Sequence, residues 1–435
     1  MIYKPMTPKR IHSYFQGYPN AKWFGVLFGT LLAALLTASA SLATAQTEVR
    51  LFERVEEITA VTTPGAHEPS LTSQNGALYL SWMEHEQGQT KVMMSSGSNH
   101  SWTEPSIVHQ SADLFVNWAD SPSIAVFPDN TIAVHWLREI GASGYDYRIE
   151  IALSHDHGET WSEPVIPHGD RSFSQHGFVS LLPIGSNNMV VVWLDGRAYG
   201  KNRGKATALP DAMQLRATTL SSDARLGRDV AIDMQTCSCC QTSMAATRDG
   251  EVLAAYRDRT EGEIRDIAVA RLTKDGWQPP VRVHDDGWEL AGCPVNGPAI
   301  LTHEDRVAVA WFTGADDVAV VHVAFSDDAG HSFAEPARID LGNPVGRVDV
   351  EMIENGMAVV SWVEWTKGHE ALMVCQITSE TGCLAREVVA INTGGASMNF
   401  PKMARLGRDI YFAWTQPDGT GDSIAMRRAT LMGLD

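Results

Sequence analysis

Basic residues are scarce in this chain of 435: 34 Lys and Arg stand against 52 Asp and Glu, a formal net charge of −18. A surface this acidic repels polyanions, which excludes nucleic acid and anionic lipid as partners. Pro-rich or Ser-rich linkers and blocks of like charge are absent, so nothing marks a tethered second domain. Cysteine is rare, six residues in all, yet three of the six fall within QTCSCCQTS, Gln235 to Ser243. Long apolar runs are also missing, with one exception near the start.

That exception follows Lys4, Lys9, Arg10 and Lys22. An apolar run from Trp23 to about Leu36 leads into small residues ending Ala43-Thr44-Ala45. A basic region, an apolar core and an A-x-A end are the pattern of a secretory signal. The expected organisation is a signal over residues 1–45 and one domain over 46–435. An uncleaved anchor is the alternative, since Trp23 to Ala45 is long enough to cross a bilayer of about 30 Å at about 1.5 Å per residue. The segment holds four basic residues and no acid, so its removal lowers the charge of −18 by four, to −22. The product is expected in the periplasm or outside the cell, without stable membrane insertion. In that oxidising setting, disulfides are the first expectation for cysteine.

Alternating apolar segments ending in an aromatic recur along the chain: ALYLSWME, TIAVHWLRE, MVVVWLDGR, VLAAYRDR, RVAVAWFTG, MAVVSWVEW and DIYFAWTQ, placing Trp82, Trp136, Trp193, Tyr256, Trp311, Trp362 and Trp414 at spacings of 51 to 63 residues. Even spacing on this scale signals a repeat architecture. Each segment follows a short strand and a Gly, Asp or Asn turn, and the first six precede two more strands. Four antiparallel strands per repeat form the blade of a β-propeller, here with seven blades, or six as the alternative. The seventh repeat stops after its third strand, SIAMRRATL. The partnerless EVRLFERV at the start of the domain is predicted to supply the fourth, closing the ring and removing its open edges.

Between the third and fourth strands of the second repeat lies SHDHGETW, with Ser154, Asp156, Gly158, Thr160 and Trp161 in an S-x-D-x-G-x-T-W pattern. SDDAGHSF, Ser326 to Phe333, is a looser copy, and SSGSNHSW is a remnant in the first repeat. The physical reading is a structural hairpin turn: Asp accepts backbone N–H groups, Gly takes the unusual dihedral, and the aromatic packs beneath.

On these motifs the domain resembles the sialidase (BNR, Asp-box) superfamily of propellers over nearly all of 46–435. The resemblance implies that the boxes face away from the active site. It further implies a site holding an arginine triad, an acidic proton donor and a Tyr/Glu nucleophile pair. Where the family opens its first blade with Arg-Ile-Pro, this chain reads His67-Glu68-Pro69-Ser70. Arg197, Arg257 and Arg347 are the triad candidates, and Tyr256 takes the packing position that Trp fills in the other repeats.

In a propeller the first strand of each blade lines the central channel, so residues entering it share one mouth with the loops joining second to third strands. The expected catalytic set on that face is Asp195, Arg197, Arg257, Asp258 and Arg347. The expected substrate-binding set is His67, Glu68, Asp120, His176, Asn296 and Asp349. Trp118, Asn399 and Lys402 belong to the same entries. The long loop Ala198 to Ala212, with Lys201, Arg203 and Lys205, is a candidate lid.

Cys237, Cys239, Cys240 and Cys293 fall at neighbouring entries, whereas Cys375 and Cys383 flank a hairpin they are expected to brace. Any full pairing of the first four forces a local bridge. Cys237–Cys240 is a C-x-x-C that suits a turn and leaves Cys239 for Cys293. Two other readings stay open: thiolates holding Cu(I) or Zn(II), with His176 or Met398 as a further ligand, and redox cycling. Function follows the same division. One reading is a protein that binds or hydrolyses carbohydrate, because Arg clamps suit anionic sugars and paired acids suit glycoside cleavage. The others are an exported metal or redox protein using the cysteines, and an interaction platform.

Overall fold

In the computed structural model, the described residues are 49–98, 101–199, 211–353, 356–393, 397–417 and 421–433. The expected signal segment, most of the candidate lid and part of the SSGSNHSW remnant lie outside them. Residues Glu48–Asp435 cluster as one unit, built from seven antiparallel sheets in which strand order follows the chain.

Blade 1 runs through Ala66–Gln74, Ala77–Glu86, Gln89–Ser98 and Ser106–Ser111. Blade 2 has Ile124–Val126, Ile132–Glu139 and Tyr147–Ser154, and blade 3 has His176–Ile184, Asn188–Asp195, Met213–Ser221 and Val230–Thr236. Blades 4 to 6 span Ser243–Arg282, Ala299–Arg338 and Pro344–Asn392, and blade 7 holds Lys402–Leu406, Asp409–Pro417 and Asp422–Leu431. The predicted closure is present: Phe52–Ile58 pairs antiparallel with the last strand, Phe52 opposite Leu431 and Ile58 opposite Met426. Side chains reinforce the seam, with Arg427 on Glu57 at 2.7 Å and the Leu51 amide donating to Glu387 at 2.6 Å.

One blade departs from expectation. The fourth strand expected in blade 2 is reduced to a single bridge between Ile151 and Val165. Pro164 and Pro167 flank Val165, and proline brings no ladder donor.

The repeated aromatics form the middle of each blade, and all seven are at most 1% exposed. A buried indole still needs a partner for its N–H. In three blades an acid two residues on supplies it: Trp82 to Glu84 at 2.7 Å, Trp193 to Asp195 at 2.9 Å and Trp362 to Glu364 at 2.7 Å. In blades 2 and 5 the acid comes from another strand or loop, Trp136 to Glu150 at 3.0 Å and Trp311 to Asp286 at 2.6 Å, and the Tyr256 hydroxyl of blade 4 likewise donates to Asp233 at 2.6 Å. Trp414 of blade 7 is the exception, its Nε1 having no partner among the described residues. Apolar clusters then fill the space between neighbouring blades, including the joint of blade 7 with blade 1.

The turn after Ser154 is held by its own side chains. Ser154 Oγ donates to Asp156 and accepts the Gly158 amide at 2.8 Å, while the Thr160 amide and hydroxyl donate to Asp156 at 2.9 and 2.5 Å. Ser326, Asp328, Gly330 and Ser332 repeat the same four bonds. Trp161 and Phe333 pack against the cores below. Because strands alternate in direction, these turns lie at the opposite end of the sheets from the entries to the innermost strands.

Candidate functional site

The channel mouth is shaped by a repeated irregularity. In blades 1, 3 and 6 the register of the innermost strand slips at the same place, after His67, Gly177 and Gly346. The first residue of each bulge is left-handed: Glu68 at φ 54°, Phe178 at 54° and Arg347 at 59°. Val295 and Asn399 adopt the same conformation at the entries of blades 5 and 7, φ 49° and 54°. Such dihedrals are costly for residues with a side chain, and bulges of this kind re-aim side chains beside sites.

Each bulge is held from the preceding blade. The Glu68 amide donates to Thr415 Oγ1 at 3.0 Å, the Phe178 amide to Asp120 Oδ2 at 2.5 Å, and the Arg347 amide to Asn296 Oδ1 at 2.8 Å. Gln241 links three entries, donating to the Ala119 carbonyl at 2.7 Å and accepting from the Gly297 amide at 3.0 Å. Asp120 and Asn296, expected to bind substrate, are therefore buried clamps on neighbouring backbone.

What the bulges present is concentrated at blades 6, 7 and 1. The Arg347 guanidinium lies 5.4 Å from the Trp118 ring centre and 5.5 Å from that of Phe400, which stack on each other at 5.7 Å. Trp118 is 44% exposed. Arg347 donates through Nη1 to Ser397 and lies 3.8 Å from Glu370. Its Nε and Nη2 have no hydrogen-bond partner among the described residues. Asn399 donates to Glu68 Oε1 at 3.1 Å. Burial pushes the Glu68 carboxyl up to about 8, against the opposing pull of Asn399 and Arg347. Burial lowers the neighbouring His67. Beneath the mouth the channel holds a cavity of about 230 Å³ lined by Asp120, Asp349, Lys402, Phe400 and a belt of Ser and Thr. Desolvation raises Asp120 to about 7 and raises Asp349 as well, with Lys402 drawing both back down. Asp349 also accepts the Met403 amide at 2.8 Å.

The expected catalytic set does not converge. Asp195 is fully buried, and its oxygens are taken by Trp193 and by Arg197 in a paired contact at 2.7 Å each. It is the counterpart of Glu84 and Glu364, a tie for the blade tryptophan. Arg197 also bonds Asp229 at 2.7 Å. Arg257 is 1% exposed and donates to three backbone carbonyls: Asn296 at 2.9 Å, Arg265 at 2.5 Å and Phe312 at 2.6 Å. It staples blade 4 to blade 5, and its burial withholds it from a ligand. Asp258 lies beside the fourth strand of blade 3, bridged to Thr236, and burial with the neighbouring Asp233 raises it to about 6. Of the three arginines, Arg347 alone stands against the exposed Trp118.

His176 is also a correction, because it is fully buried and out of reach of substrate. Its Nδ1 faces the Ser174 and Tyr147 carbonyls at 3.1 and 3.2 Å. Its Nε2 lies 3.3 Å from Asp170 and 3.6 Å from Asp195, and its ring stacks on His168 at 3.9 Å.

The entries of blades 4 and 5 are joined through sulfur. The structure pairs Cys237 with Cys240, Cys239 with Cys293 and Cys375 with Cys383, at Cα separations of 6.0, 6.1 and 5.8 Å. A bend at Ser238–Cys239 turns the sulfurs towards each other. No free cysteine remains among the described residues, so these sulfurs are bridges here and not the thiolates that copper or zinc would need.

Ser397, Glu370, Phe400, Gln241 and Thr415 went unmarked in the sequence. None of the five carries a local pattern that sets it apart.

No protein-family model and no characterised protein matches the sequence. Solved structures match the fold. A phage phi92 endosialidase aligns over 88% of this chain and 70% of its own at 10% identity, TM-score 0.50. A Penicillium chrysogenum alpha-L-arabinanase aligns over 89% and 100% at 12% identity, TM-score 0.48, and the polysaccharide lyase Uly1 over 91% and 96% at 11% identity, TM-score 0.49. The shared feature is the propeller fold itself.

Proposed function

We propose that this is an exported, sialidase-type propeller that binds an acidic carbohydrate at the channel mouth. The observation that carries the reading is the stacked Trp118 and Phe400 pair with the Arg347 guanidinium over it, two donors unspent. An exposed indole offers a flat apolar face to a sugar ring, and a guanidinium fork matches a carboxylate. Asn399, bonded to the buried Glu68, adds a polar group beside them.

A three-arginine route is not supported by where Arg197 and Arg257 lie. Tyr256 packs in the blade core with its hydroxyl on Asp233, so it is no nucleophile. Glu68 nevertheless stands in the protonation state that a general acid requires near neutral pH. The endosialidase fold match agrees with a carbohydrate ligand.

The test is calorimetric titration of the purified protein with sialylated, uronic-acid and neutral oligosaccharides, beside a fluorogenic glycoside panel. Acidic sugars are expected to bind. Trp118→Ala and Arg347→Ala should each weaken binding by about tenfold or more, about 1.4 kcal/mol, without lowering the melting temperature. Equal binding of neutral and acidic sugars, or an indifferent Arg347→Ala, would sink the reading. Turnover abolished by Glu68→Gln would extend it to hydrolysis.

A further inference from the structure

The two bridges at the entries of blades 4 and 5 differ in access. Cys237 and Cys240 are buried at 0% and 1%, whereas Cys293 is exposed and Cys239 half-buried. The bridges also touch: Cys237 Sγ and Cys239 Sγ lie 3.9 Å apart, and Sγ of Cys237, Cys239 and Cys240 all lie within 4.8 Å of one another. Structural braces gain nothing from such contact, and Cys375–Cys383 in blade 6 has no sulfur neighbour of this kind among the described residues. Exchange chemistry does need it, because a thiolate must reach a disulfide sulfur.

We propose that these four cysteines form a thiol–disulfide exchange centre that takes electrons from an external dithiol and delivers them to the buried bridge. One thiolate of the dithiol attacks exposed Cys293 Sγ. A mixed disulfide forms, the Cys239–Cys293 bond breaks, and Cys239 leaves as thiolate. The second thiol of the donor then attacks its own sulfur in the mixed disulfide. This releases Cys293 as thiol and the donor as a disulfide, so two electrons have entered the protein. Cys239 thiolate next attacks Cys237 Sγ, its neighbour. The Cys237–Cys239 bond forms, the Cys237–Cys240 bond breaks, and Cys240 leaves as thiolate and takes up a proton. The bend at Ser238–Cys239 is what lets residues two apart face each other, where an extended strand would point them to opposite sides. The centre is independent of the carbohydrate reading, since neither Arg347 nor Trp118 takes part.

Cys293→Ser tests the internal step directly. The oxidised variant retains one unpaired thiol, which is trapped by acid quench, unfolded, alkylated with N-ethylmaleimide at low pH and mapped by peptide mass. The expected result is label divided between Cys239 and Cys240, because exchange moves the thiol. Label confined to Cys239 would overturn the relay. Should that variant fold poorly, reduction by dithiothreitol of native Cys239→Ser gives a second reading. Without the Cys239 thiolate, the buried Cys237–Cys240 bridge should open about tenfold or more slowly than in the unaltered protein. Equal rates would likewise overturn it. Sugar binding should persist in both variants, which separates failure here from failure of the binding site.

Discussion

The two ends of this propeller treat their acids in opposite ways. At the turn end, Asp156 and Asp328 accept hydrogen bonds from serine, threonine and backbone within their own loops, and both are held down at about 2. At the mouth, Glu68 is pushed up to about 8 and Asp120 to about 7, because burial outweighs the few donors they receive. Hydrogen bonds to a charged form favour it, and desolvation disfavours it. The difference teaches where the molecule is finished and where it is not. The turn-end carboxylates are satisfied by their own segment, whereas the mouth carboxyls are partly uncompensated and held in place by neighbouring blades. Unspent donors and a retained proton belong at a binding site.

The largest expected effect follows from the opposite signs. Glu68 is raised from 4.5 in the unfolded chain to about 8. Its protonation therefore stabilises the fold fully below about pH 4.5, and the contribution is lost as pH rises towards 8. Asp156 and Asp328, lowered from 3.8 to about 2, contribute above about pH 4 and lose it as pH falls through 2. In urea unfolding, Glu68→Gln should match the unaltered protein near pH 5 and exceed it at pH 8 by on the order of 2–4 kcal/mol. Parallel stability curves across that range would break the contrast between the two ends.

A smaller effect is expected at the turn end. Gly158 sits at φ +92°, and a Cβ there would come within 2.6 Å of Met94 Sδ. Gly158→Ala should destabilise by about 2 kcal/mol and leave sugar binding unchanged, since the strain stays at the far face. The smallest effect sharpens the mouth itself. Thr415→Val removes the hydroxyl that accepts the Glu68 amide and should cost about 1 kcal/mol in denaturant unfolding. Unlike Gly158→Ala it should also weaken sugar binding, because the bulge that aims Glu68 loosens.

Much of the fold was legible because it rests on period and edge. Seven aromatics at even spacing pointed to seven blades, and the lone EVRLFERV strand had one place to go. The turns after Ser154 and Ser326 were readable because their bonding is local. Blade 2 was over-read at Pro164 and Pro167, whose missing donors were visible in the sequence. Asp195 was misassigned for a similar reason: Trp193-x-Asp195 repeats in Trp82-x-Glu84 and Trp362-x-Glu364, and the repetition pointed to a tie within the blade. Asp120 and Asn296 were different. Each captures an amide more than 50 residues away in another blade, and no local pattern distinguishes that duty from holding a ligand.

Sequence alone determined the repeat period, the strand that closes the ring, the local bonding of the two turns and the placing of Cys239 and Cys293 at neighbouring entries, because each follows from spacing along the chain. Seven blades over six, and the pairing of those sulfurs, it left open. Tertiary structure decided which arginine stands against Trp118, which acids keep a proton and which sulfurs lie within exchange distance. Those properties depend on burial and on contacts between blades, and they exist only once the ring has closed.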